Sequence, residues 1–114
     1  MAKENLLLKQ AKEMGLIDDR EVAVCANITC TNGNRGRGWV FVNGGVLSIY
    51  EPVGFTGLGE HVETLELKNA RFIKGSSFVL NTTLKLEYAG HTYVFKDFTI
   101  AKKFIEAVRE VCGK

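Results

Sequence analysis

No stretch of this 114-residue chain is apolar enough to serve as an export signal or a membrane span. A secretory signal requires an apolar core of about 7–15 residues, and a transmembrane helix about 20. Near the N-terminus the apolar run is Leu6-Leu7-Leu8, set among charges. A cytoplasmic location is the expectation. Cysteine is scarce as well: Cys25, Cys30 and Cys112 are an odd number and form no C-x-x-C pair. That pattern indicates neither a disulfide framework nor a zinc site. Cys25 and Cys30 stand five apart in a stretch that reads as a strand, so they take opposite faces. All three are expected as reduced thiols. Without an export signal, Asn27-Ile28-Thr29 and Asn81-Thr82-Thr83 are chance matches to the glycosylation pattern.

Histidine numbers two, His61 and His91, both in expected loops and in no serine–histidine–acid or cysteine–histidine order. Two histidines without a carboxylate cluster make no metal site. No catalytic residue, metal, cofactor or small-molecule substrate is expected, and the chain reads as non-enzymatic. An excess of one charge is also missing. Fifteen basic residues face thirteen acidic ones, and a formal net charge of +2 is too small to argue for nucleic acid. There is no internal repeat, low-complexity tract or linker, so residues 1–114 read as one domain.

What is present is an ordinary globular composition, 46% hydrophobic and 25% charged. Residues 1–17 hold an N-terminal helix: Leu7, Ala11 and Met14 repeat at spacings of four and three, and Gly15 is placed to end it. From Val22 the period becomes two, with Val22, Val24, Ala26, Ile28 and Cys30 on one face. Residues 31–38 read as a loop. Strands 39–42 and 46–50 flank Asn43-Gly44-Gly45, a hairpin signal. Residues 51–60, with the only proline (Pro52) and Gly54, Gly57 and Gly59, read as a longer flexible loop.

Strands follow at 62–67, 70–74, 82–88 and 92–96, with Ala89-Gly90-His91 as a turn. Trp39, Phe41, Tyr93 and Phe95 read as core. Residues 99–112 form a closing helix. Ile100, Phe104, Val108 and Val111 make its apolar stripe, widened by Ala101, Ile105 and Cys112, while Lys102, Lys103, Glu106, Arg109 and Glu110 take the wet side. The fold class is mainly β (α+β). Seven antiparallel strands over residues 20–97 curl into a barrel or sandwich, because a flat sheet would expose both faces and two edges. The C-terminal helix closes it, and the N-terminal helix is an addition.

This order resembles the pleckstrin-homology (PH) superfold. Residues 62–75, VETLELKNARFIKG, are similar to the strand 4–strand 5 segment of bacterial PH and GRAM-like families. Residues 84–97, LKLEYAGHTYVFKD, resemble their final hairpin, where G-x-x-Y-x-F is common, and residues 104–108, FIEAV, resemble the plugging helix. The likeness spans residues 20–112. It departs at strand 3, where an N-R-R-L-like motif is replaced by Gly45-Val46-Leu47-Ser48-Ile49-Tyr50.

The resemblance implies a candidate ligand site. Eukaryotic PH domains hold inositol phosphates with basic residues of the strand 1–strand 2 loop, which here supplies Arg35 and Arg37. Phe55 and Leu58 would be apolar tips of the 51–60 loop at the same end, with His91 beside them. Against a lipid headgroup, Cys30 stands where a phosphoinositide binder usually carries lysine. Glu51 and Glu60 flank the tips, and a membrane patch usually carries four or more basic residues. The two G-x-x-G-x-G runs, Gly33-x-x-Gly36-x-Gly38 and Gly54-x-x-Gly57-x-Gly59, precede no helix and read as loop flexibility rather than phosphate cradles.

The favoured expectation is a protein-interaction or self-assembly module. A domain of this shape offers an exposed strand edge and a groove beside the closing helix. Leu6, Leu7, Leu8 and Met14 form the candidate interaction surface of the N-terminal helix. The basic excess lies in residues 61–114, nine against six, yet no stripe of exposed aromatics suits base stacking.

Overall fold

Strict alternation builds the first strand. In β1 (Val22–Cys30) Val22, Ala26, Ile28 and Cys30 are buried with Val24 packed against them, while Asn27 and Thr29 are exposed. The computed structural model describes residues 9–19, 22–31, 35–53, 57–78, 81–97 and 102–112, with the main chain alone at 35, 57, 77, 78, 81, 97 and 102. Residues 9–13 are helical (α1) and turn at Gly15, whose φ of +73° favours glycine as the helix stop. After β1 come β2 (Arg35–Asn43), β3 (Val46–Val53) and β4 (Gly57–Glu66). A single 3₁₀ turn (Leu67–Asn69) leads to β5 (Arg71–Phe78), β6 (Asn81–Tyr88), β7 (His91–Asp97) and α2 (Lys102–Val111).

The seven strands form one antiparallel sheet in the order β4-β3-β2-β1-β7-β6-β5. The expected barrel is therefore not closed: β4 and β5 are edges and do not pair with each other. The connection explains the seam. The 3₁₀ turn buries Leu67, and Ala70 after it is buried too, so the chain turns into the core instead of continuing the ladder. α2 packs against β5, β1, β2 and that turn. Phe104, Ile105, Val108 and Cys112 are buried, as the stripe predicts, Val111 is partly buried, Ala107 is buried beside them, and Phe104 meets Phe95 edge-on at 6.1 Å. Ile100 and Ala101 lie outside the described residues.

Strand takes up described residues of two expected loops, 31–38 and 51–60, whose residues 32–34 and 54–56 lie outside the described residues. Residues 35–38 belong to β2, with Ile28 opposite Gly36 and Ala26 opposite Gly38. Glycine is needed at 38 for close approach: a Cβ there would stand 2.9 Å from Ile28 Cδ1. Likewise β3 runs to Val53 and β4 starts at Gly57, pairing Pro52 with Leu58. Two register shifts in this pair, either side of Tyr50, absorb the proline and the spare residues of β4. β5 also extends past the expected 70–74.

β2 is buried on both faces. Val40 and Val42 point into the main core with Leu47, Leu65, Leu84, Tyr93 and Phe95. Phe41 points the other way, into a second cluster with Ala11, Leu16 and Ile17, bordered by Trp39, Tyr50 and Leu58. The aromatics read as one core are thus divided between two. The segment around α1 lies on its own sheet, held by Asn43 Nδ2 donating to the Gly15 carbonyl (2.9 Å) and Gly44 N–H donating to Asp18 Oδ2 (3.1 Å).

Candidate functional site

At the end of the sheet where β1 meets β2, β3 meets β4 and β6 meets β7, inward positions leave a pocket of about 100 Å³. Ile28, Ile49 and Val62 are its apolar lining, and Glu51, Glu63 and Arg37 its charged lining. Glu63 is inside because it shares parity with buried Leu65, opposite Ile49. The Tyr93 hydroxyl donates to the Glu63 carboxylate, tying β7 to β4 across the mouth. Burial first, and then this hydrogen bond, raise the Tyr93 pKa well above its ordinary value. Two carboxylates in the lining work against a phosphate there.

The residues expected at this end do not form one basic, apolar-tipped rim. Arg37 is exposed at the pocket edge, and its Nη2 donates to Cys25 Sγ at 3.3 Å on the outer face. Leu58 is half-buried beside Trp39 and Tyr50 in the outer cluster, not a loop tip. His91 is half-buried, with Nδ1 3.4 Å from Thr31 Oγ1, which itself accepts the Thr92 N–H at 3.1 Å. Phe55 and the Arg35 side chain lie outside the described residues, as do Leu6, Leu7 and Leu8. Met14 is 48% exposed just beyond α1.

The sheet edges offer a second site. β4 is interrupted by two register shifts, a device that blunts an edge against further pairing. β5 has one, at Ile73, and α2 runs beside it. The approach is close: a Cβ on Gly75 would stand 2.5 Å from Phe72 Cζ and 2.8 Å from Ile105 Cγ2. The Arg109 guanidinium covers the Phe72 ring at 5.0 Å, and Ile73 is 39% exposed. The outer edge of β5, which pairs with no other described strand and is flanked by half-buried Phe72 and exposed Ile73, is a surface on which an extended chain can hydrogen-bond and seat side chains.

Seven antiparallel strands followed by a packed helix match solved structures of Vav1 over nearly the whole chain. The fold is PH-like. Vav1 inhibited by an allosteric inhibitor aligns with a TM-score of 0.65 at 17% identity, covering 97% of this chain and 34% of that one. The apo form of the activated Vav1 truncation gives 0.65 at 15%, covering 96% and 33%. A structure concerning the PH and C1 domains of the Vav1 exchange factor gives 0.62 at 15%, covering 94% and 32%. The chain spans about a third of the length of these Vav1 chains. No family model matches, and no curated protein does. Within this PH-like frame, the sequence reading passed over Glu63 and the facing lysines Lys74 and Lys85. The parity of Glu63 with Leu65 and Leu67 was a usable signal. The lysine pair was not, because its register depends on the shift at Ile73.

Proposed function

We propose that this PH-like domain is a non-enzymatic, cytoplasmic protein-interaction module that captures an extended segment of a partner along β5, beside α2. The observation that carries this reading is the outer edge of β5, which pairs with no other described strand and has half-buried Phe72 next to it. Strand addition draws affinity from main-chain hydrogen bonds and specificity from alternate side chains. Kinship with bacterial PH and GRAM-like families is part of the proposal and rests on the residue patterns of β4–β5 and β6–β7. Peptides selected from a displayed random library, followed by hydrogen exchange, test it. Slowed exchange across Arg71–Phe78 is expected, and selected peptides that protect other strands would refute it.

Self-assembly is the same reading with a second copy as partner, and light scattering decides it, since a clean monomer excludes it. Lipid-headgroup binding at the mouth is the weaker alternative, given Glu51 and Glu63 in the lining. Liposome flotation with Arg35→Glu/Arg37→Glu separates it, because a mouth binder must lose flotation in that variant.

A further inference from the structure

The face of the sheet around β5 carries more cations than the described carboxylates on its rows answer. Arg71 is opposite Glu87, Phe72 opposite Leu86 and Lys74 opposite Lys85. Because Ile73 is skipped in this ladder, Arg71, Lys74 and Ser76 share the outer face, whereas Phe72 and Gly75 point inward toward α2. Lys74 and Lys85 therefore stand directly across from each other, an arrangement that costs stability. Lys96 lies on the neighbouring row, opposite Thr83. The acid on these rows is Glu87, which is 3.7 Å from Arg71. Among the described residues, Lys74, Lys85 and Lys96 have no carboxylate partner.

We propose that the segment captured at β5 alternates acidic with apolar residues, its carboxylates meeting Arg71 and Lys74 and its apolar side chains meeting half-buried Phe72 beside α2. The inference rests on the strand-addition reading and adds the chemistry of the partner. An eighth strand takes the pleat of β5, so its side chains alternate between the cationic outer face and the apolar step beside α2. A carboxylate opposite Lys74 extends the Lys74–Lys85 row and relieves its repulsion. An extended polypeptide uses the free ladder and the cations together. A nucleic acid or a lipid surface uses only the cations.

Fluorescence anisotropy with three labelled heptapeptides tests this: glutamate alternating with valine, glutamine in place of glutamate, and the first composition with its glutamates grouped. The alternating glutamate peptide should bind at least tenfold more tightly than either other at low salt. That margin should shrink in high salt, and exchange should slow along β5. Lys74→Glu and Lys85→Glu should each abolish the glutamate preference while leaving the glutamine peptide's affinity unchanged. Lys74→Glu should also raise the melting temperature by about 1–5 °C, since it replaces a like-charge pair with an opposite one, and this confirms folding. Equal affinity for the glutamate and glutamine peptides, with β5 still protected, would overturn the acidic partner and leave strand addition standing. No binding by any peptide would overturn both. Binding of phosphatidylserine vesicles without peptide binding would assign the lysines to a lipid surface and overturn the proposal.

Discussion

Tyr93→Phe deletes one oxygen from the mouth of the pocket and should be felt across the sheet. Tyr93 is 1% exposed, and its hydroxyl donates to the half-buried carboxylate of Glu63 on the far strand. A hydrogen bond to a charged acceptor contributes about 1.5–3 kcal/mol, so the loss should lower the melting temperature by roughly 10 °C in a domain of this size. Glu63→Gln keeps an acceptor and should cost about 1 kcal/mol. The double variant should lose less than the sum, with a coupling of about 1–2 kcal/mol. The alkaline limb gives an independent readout. The pKa of Tyr93 is higher folded than unfolded, so its contribution is complete below about pH 10 and declines as pH rises above that. The wild type should lose stability there with a slope approaching 1.4 kcal/mol per pH unit from this group alone, roughly, and Tyr93→Phe should lack that component. The assay is thermal melting by circular dichroism from pH 7 to 11. Equal melting temperatures at pH 7 together with parallel alkaline limbs would show that the hydroxyl does not engage Glu63.

Phe104, 2% exposed against Phe95, should cost about 3–5 kcal/mol when replaced by alanine, measured by urea unfolding; no loss would mean that α2 does not plug the core. Gly75→Ala forces a methyl against Phe72 and Ile105 and should cost about 1–3 kcal/mol, whereas a neutral result would mean that α2 stands farther from β5. Burial pushes the Cys112 thiol up to about 11, so iodoacetamide at pH 8 should label half-buried Cys25 well before Cys112, as read by mass spectrometry. Phe41→Ala should release the α1 segment, and hydrogen exchange at residues 11–17 should quicken more than in β6.

Alternation and turn chemistry were legible without coordinates. The buried face of β1 follows from parity, and the β6–β7 turn follows from Ala89-Gly90, whose φ values of +54° and +82° suit a two-residue hairpin. The stripe of α2 follows from its helical period. Misreading entered where glycine was taken as looseness. Gly36 and Gly38 lie in a paired strand, Gly36 with a φ of +137° and Gly38 packed close to Ile28, which composition alone does not reveal. The two-sided burial of β2 was written in the apolar run from Trp39 to Val42, but which element covers Phe41 required three dimensions. At the candidate site, Glu63 could have been placed by parity, whereas the Lys74–Lys85 confrontation depends on a one-residue shift that no spacing rule announces.

The strand order has a kinetic consequence. β1 to β4 pair in succession, and so do β5 to β7, so each group is a chain of local hairpins. One pairing joins the two groups: β1 with β7, from Asn27 opposite Lys96 to Cys30 opposite Tyr93. Hairpins close in about 1–10 μs, while a long-range pairing must first overcome the entropy of a large loop. The slow step of folding is expected at that seam. Stabilising the β1–β7 pairs should speed refolding, while equal stabilisation within a hairpin should mainly retard unfolding, a contrast that stopped-flow chevrons would resolve.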